Sequence, residues 1–194
     1  MYQKRNNELE VIVLYLLGYG KQYYLREISN LTKIPLRTVQ TILNILEKNC
    51  ILKSKTAGKN KYFRLNLDNI QTKHYLLQAE IYKTSLFVDK YPIFKTFMKK
   101  VNLNEVIILF GSFAKFSANK DSDLDMLIIS NFRRVILPVH LLPYKIHEIN
   151  MTEITFIKSL EKQEALLKEI EENHIVLNGH SFYVNTMWRY YARG

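Results

Sequence analysis

Ile108-Leu109-Phe110-Gly111-Ser112-Phe113-Ala114-Lys115, followed by Asp121-Ser122-Asp123-Leu124-Asp125-Met126-Leu127-Ile128-Ile129, decides how this chain is read. An apolar run ends in Gly-Ser, and ten residues separate Ser112 from Asp123. Asp125 follows after one apolar residue, and the chain turns hydrophobic again. Short apolar runs bounded by turn residues are buried strands. The pattern predicts a strand over 105–110, a Gly-Ser turn with a short helix, and a strand over 124–129.

The residue types suit one chemistry. Gly111 lets backbone approach a ligand closely and tolerates a sharp exit from a strand. Ser112 adds a hydroxyl and a backbone N–H, and a helix starting there would aim free N–H groups at an anion. Side chains two apart on a strand share a face, so Asp123 and Asp125 point the same way. Two adjacent carboxylates repel unless a cation lies between them. Mg²⁺ (or Mn²⁺) is the natural candidate, because it takes oxygen ligands from one or two carboxylates and from phosphates. One ion on a nucleoside triphosphate and a second on an acceptor oxygen would support an in-line displacement that expels pyrophosphate. The alternative is a capped loop, since Asp and Ser are common in turns. A simple loop does not explain Gly-Ser upstream or two acids leading straight into a buried strand.

The order hydrophobic-Gly-Ser, spacer, acid-hydrophobic-acid-hydrophobic resembles the signature of the polymerase-β-like nucleotidyltransferase superfamily. Asp121-Ser122-Asp123-Leu124-Asp125 is similar to the core of its minimal branch. The resemblance implies that Gly111, Ser112 and Lys115 bind the triphosphate, and that Asp123 and Asp125 bind metal and are catalytic. It implies a third carboxylate on a later strand, for which Glu148 in Lys145-Ile146-His147-Glu148-Ile149-Asn150 is the candidate. His147 would lie on the opposite strand face from Glu148, and it reads with His140 as structural or surface. Ala114-Lys115-Phe116 stands where many members have Ala-Arg-Gly. Lysine keeps the charge and loses the planar two-pronged donor of arginine.

Upstream, the charge is uneven. The net charge is +10, and residues 1–70 carry 12 Lys/Arg against 5 Asp/Glu. A basic N-terminal third suggests a polyanion partner, although lysine-rich proteomes also make many proteins basic. Residues 8–18 read as a buried helix closed by Gly18 and Gly20, and Tyr24–Leu31 as a short helix broken at Ile34-Pro35. A third helix over 36–48 carries the stripe Val39, Ile42, Leu43 and Leu46. Two short strands around Ala57-Gly58-Lys59-Asn60 form a hairpin. This order resembles a winged helix-turn-helix domain. Such a domain would place Arg37, Thr38, Gln40, Thr41 and Asn44 against base edges or phosphate of duplex DNA. Lys53, Lys55, Lys59, Lys61 and Arg64 would supply salt-sensitive backbone contacts. Winged helices also serve as protein-interaction modules. Of Tyr62 and Phe63, at least one belongs to the core.

The fold class expected is α+β: a winged helix-turn-helix over 1–67, a helical connector over 68–100, and a mixed α/β nucleotidyltransferase fold over 101–194. The connector is mainly helical, with a break at Tyr91-Pro92, and could supply the seam of a homodimer. A strand is expected within 145–151, then a helix over 153–173 interrupted near Ser159-Leu160. Asn178-Gly179 between two apolar runs predicts a closing hairpin. Cys50 allows no intramolecular disulfide and reads as a buried thiol at a helix end. No apolar run approaches a membrane span and the first residues carry no signal-peptide core, so the cytoplasm is the expected location. Three functions fit: an enzyme moving a nucleoside monophosphate from an NTP to an unidentified acceptor; a DNA-binding regulator with a nucleotide-sensing or inactive domain; and a toxin–antitoxin-like component acting on a protein or RNA.

Overall fold

A computed structural model describes residues 6–101, 105–131 and 136–192. The readings of the extreme N-terminus and of the outermost domain limits lie outside the described residues. The chain divides into two compact units, one of Met1–Ala79 with Met187–Gly194 and one of Glu80–Thr186. Among the described residues no helix is long and apolar enough to cross a membrane.

The first unit runs α1 (Asn7–Val13), a 3-10 turn (Leu14–Leu17), β1 (Gln22–Tyr24), α2 (Leu25–Thr32), α3 (Leu36–Lys48), β2 (Leu52–Ala57), β3 (Asn60–Leu65) and the start of α4 (Ile70–Lys90). Asn6 caps α1, its side chain accepting from Leu9 N at 3.1 Å, and Glu8 and Glu10 meet the positive end of the helix. The stripe Val39, Ile42, Leu43 and Leu46 is buried as the periodicity predicts. Phe63 is buried and Tyr62 half-buried. The sheet has the order β1-β3-β2, all antiparallel. Buried Tyr15 ties the helical layer to it, its hydroxyl donating to Phe63 O at 3.0 Å. Strand β1 is too short to show a period in the sequence.

Cys50 corrects an expectation: it is exposed. It sits just past α3 in the left-handed region (φ 55), where Cys50 N bonds Glu47 O and Ile51 N bonds Leu46 O. This helix ending sends Ile51 into the core and the preceding side chain into solvent.

The second unit holds the rest of α4, α5 (Phe94–Lys100), β4 (Val106–Phe110), α6 (Gly111–Ala114), β5 (Leu124–Ile129), β6 (Ile146–Met151), α7 (Glu153–Glu161), α8 (Ala165–Glu172) and β7 (Ile175–Asn178), and α9 (His180–Ala192) starts in it. Its sheet has the order β6-β5-β4-β7; β4 is antiparallel to both neighbours and β5 is parallel to β6. Strand β4 is buried along its whole length, as a continuous apolar run in a central strand must be. Ile107, Leu109, Leu124, Met126 and Ile128 pack one sheet face into a core with Phe87, Phe94, Phe97 and Phe113.

The expected hairpin at the end of the chain is not formed. Strand β7 stops at Asn178, Gly179 turns the backbone at φ 82, and α9 follows. A Cβ at Gly179 would lie 2.7 Å from Val106 Cγ2, so only glycine fits against β4 there. Phe182-Tyr183-Val184 looks like a strand by composition. The buried residues Tyr183, Val184 and Met187 instead follow helical spacing.

A buried polar cluster fastens α4 within this unit. Glu80 Oε1 and His174 Nε2 lie 2.8 Å apart, both wholly buried. Thr84 Oγ1 donates to Val176 O at 2.7 Å and lies 3.0 Å from His180 Nε2. Lys83 Nζ is buried and has no hydrogen-bond partner among the described residues.

Candidate active site

The Gly-Ser turn leaves β4 at the point where β4 pairs with the start of β5, Phe110 standing opposite Asp125. Gly111 takes φ +67. A Cβ at this position would fall on Asp125 Oδ2, with Asp125 Cγ 3.2 Å away. Glycine here therefore meets two demands, a left-handed backbone and room for the carboxylate. The four-residue α6 follows, with Gly111, Phe113 and Ala114 buried and Ser112 half-buried. Lys115 is exposed at its end.

The loop into β5 is organised by Asn119. Its side chain accepts from Asp121 N at 2.9 Å, and its own N–H donates to Ser122 Oγ at 2.9 Å. Leu124 N donates to Lys145 O at 2.8 Å, which starts the parallel pairing with β6.

Register then determines which β6 side chains reach the acids. Asp125 is paired with His147, and Met126 with Glu148. Paired residues in a parallel sheet share a face and successive residues alternate. His147 Nδ1 lies 3.4 Å from Asp125 Oδ1, and its Nε2 lies 3.7 Å from Asp123 Oδ2. Lys145 Nζ is 3.7 Å from Asp123 Oδ2. One imidazole thus meets both carboxylates, which are partly exposed at 39% for Asp123 and 29% for Asp125.

Glu148 lies on the other face, beside Met126, and is not brought to the aspartates. His147 and Lys145 are the residues that sequence reasoning missed. The alternation Lys145, His147, Ile149 is visible in the sequence, but which face meets β5 is set by the inter-strand register.

Asp123 and Asp125 offer oxygen donors open to solvent. Among the described residues no group of three or more His, Cys, Asp or Glu is arranged to hold a metal ion. Two carboxylates suit an ion whose remaining ligands are phosphate oxygens and water, the usual state of protein-bound Mg²⁺.

In the first unit, the sequence-selected residues of α3 and the β2–β3 hairpin lie at the surface. Arg37, Gln40, Thr41 and Asn44 are exposed and Thr38 is half-buried. Gln40 Nε2 donates to Asn44 Oδ1 at 3.0 Å. Lys53, Lys55, Lys59, Lys61 and Arg64 are exposed; Lys53 pairs with Asp68, and Lys61 Nζ with Glu47 Oε2 at 2.7 Å. The Glu47 carboxyl is held below its ordinary range by hydrogen bonds from Lys61 and Ser54. An open groove of about 680 Å³ runs between α2, α3 and the hairpin, with Arg26, Gln40, Lys59, Asn60 and Lys61 on its walls. Arg26 and Asn60 are additions that the linear sequence did not single out.

Residues 93–182 match the family described as Polymerase beta, Nucleotidyltransferase. The match runs from α5 to the start of α9 and includes the whole four-stranded sheet. It supports the nucleotidyltransferase superfamily for this stretch and suggests nucleotidyl transfer in general. No curated protein and no solved structure matches the chain.

Proposed function

We propose, from a nucleotidyltransferase stretch over residues 93–182, that this chain is a Mg²⁺-dependent enzyme moving a nucleoside monophosphate from an NTP to an acceptor hydroxyl or phosphate. The observation that carries this reading is the fit of Gly111 against Asp125: the turn suited to phosphate and the carboxylate suited to metal share one point in space. Gly111 and Ser112 receive the β- and γ-phosphates through backbone N–H and hydroxyl groups. Lys115 balances their charge from the far end of α6. Asp123 and Asp125 would hold the cation, completed by triphosphate oxygens. When bound, Mg²⁺ supplies charge compensation and draws electron density from the phosphoryl oxygens. The acceptor oxygen forms its bond to the α-phosphorus as the bond to the α–β bridging oxygen breaks; pyrophosphate departs, and a hydroxyl acceptor gives up its proton to water. Lys145 and His147 face the same space and can meet an anionic or hydroxyl-bearing acceptor.

The first unit is read as a DNA-binding winged helix. Three observations support this reading: helix-strand-helix-helix-strand-strand order, a β1 that closes the sheet on β3, and a basic groove beside α3. Duplex DNA would contact Gln40 and its exposed neighbours on α3, with Lys59 and Lys61 on its phosphates.

One observation favours a second reading, a DNA-binding regulator that holds nucleotide without turning it over. Glu148 lies away from the aspartate face, so no third carboxylate of β6 joins the pair. Incubation with each labelled NTP and Mg²⁺ separates the two. Label transfer that disappears in the Asp123→Ala, Asp125→Ala double variant supports the enzyme, and triphosphate binding without transfer supports the regulator. Transfer that survives the double variant overturns the assignment of both aspartates.

A further inference from the structure

The turn after Gly111-Ser112 closes in a way usually left to glycine. Phe116 N donates to Phe113 O at 3.0 Å, and Ser117 N donates to Ser112 O at 3.0 Å. These paired bonds form a Schellman ending, in which the residue at the place of Phe116 must be left-handed. Phe116 has φ 57. A side chain is disfavoured there because its Cβ crowds the next carbonyl. Ser117 Oγ donates to Ser112 O as well, at 3.3 Å, so the ending bears directly on the serine of the turn.

Phe116 is contacted from α4. Lys90 Nζ donates to Phe116 O, and it lies 5.8 Å from the Phe116 ring centroid and 5.5 Å from that of Tyr91. Wholly buried Phe87 meets the Phe116 ring edge-on at 6.1 Å. A charge-assisted bond to a carbonyl is stronger than a neutral one, and a cation over aromatic faces adds to it. Lys90 ends α4, where the helix favours positive charge.

We propose that Lys90 is a positioning residue for the triphosphate-binding turn. It clamps Phe116 in the left-handed region and thereby fixes Ser112 and Lys115, the task that a glycine at position 116 would perform by conformational freedom. Lys90 is exposed. This inference rests on the triphosphate-binding reading above only for its functional consequence; the clamp itself can be measured without nucleotide.

The test uses the full chain as wild type, Lys90→Met, and Lys90→Met with Phe116→Gly. Amide hydrogen exchange in the free protein reads the clamp. Phe116 and Ser117 N–H should exchange at least tenfold faster in Lys90→Met and recover in the double variant, while β4 amides stay unchanged. The affinity of whichever non-hydrolysable NTP–Mg²⁺ binds wild type best reads the consequence. It should fall about tenfold in Lys90→Met and return to within about threefold in the double variant, a factor of ten being about 1.4 kcal/mol. Unchanged exchange in Lys90→Met overturns the proposal. So does an affinity loss that Phe116→Gly does not restore, because Lys90 would then act as a plain charge near the phosphates. A wild type that binds none of the four triphosphates sinks the nucleotidyl-transfer reading, and hydrogen exchange alone then decides the clamp.

Discussion

Replacing Gly111 with alanine tests the interlock of turn and carboxylate most directly. Two costs can be separated. Holding a residue with a Cβ at φ +67 costs about 1–2 kcal/mol. In a chain of this size that lowers the melting temperature by about 2–8 °C. The second cost is steric, because the new methyl would fall on Asp125 Oδ2 and force the carboxylate aside. Gly58 supplies the first control: it has φ +59 and nothing within 4 Å of its would-be Cβ, so Gly58→Ala carries the backbone cost alone. Gly179→Ala supplies the second, since its methyl would strike Val106 in the same sheet and displace neither aspartate. All three variants should melt lower by calorimetry. Only Gly111→Ala should also lose NTP–Mg²⁺ affinity, by more than about tenfold, or about 1.4 kcal/mol. If Gly111→Ala binds like Gly58→Ala, the reasoning that glycine is kept there for Asp125 is refuted.

Three further outcomes are expected. Glu148→Ala should leave label-transfer rates within about twofold and His147→Ala should lower them about tenfold or more; the reverse order would place Glu148, not His147, at the reacting face. Burial alone would raise the Glu80 carboxyl, but His174 outweighs it, with Lys83 and His180 adding, and holds it below its ordinary range. The stability this gives is therefore present above the unfolded carboxylate range and is lost as pH falls through the lower folded value. Burial lowers the Lys83 amine against the pull of Glu80, so stability also rises as pH climbs towards the ordinary lysine range. Urea unfolding of Glu80→Gln across pH should show a loss of about 3–5 kcal/mol at neutral pH and a flattened acid limb; an acid limb matching wild type would refute this. Alanine at both Lys59 and Lys61 should reduce the slope of log affinity for duplex DNA against log salt by about 0.9 for each phosphate that these lysines neutralise. An unchanged slope would remove the hairpin from the interface.

Much of the architecture is legible from local pattern. The stripe of α3, the break at Tyr91-Pro92 and the strands flanking Gly111 and Asp125 each follow from periods and turn residues within about ten positions. The helix after β6 is interrupted as expected, but at residues 162–164, just past Ser159-Leu160, which stay within α7. The failures share a cause. Residue type assigns Cys50 to the interior, but a left-handed helix ending turns it outward. Asn178-Gly179 carries a hairpin signal, but contact with Val106 makes that glycine the exit from β7 into α9.

The sequence by itself determined that a Gly-Ser turn and two acids would stand at the ends of successive apolar strands, because that depends on local spacing and on the two-residue period of a strand. Only the tertiary structure decided which partners those groups meet. The parallel register of β5 and β6 brought His147, and not Glu148, to the aspartates. The last residue of a distant helix, Lys90, came to hold Phe116. A strand's period fixes which residues share a face, but one step of register between strands chooses the face, and that step is set by the packing of the whole sheet.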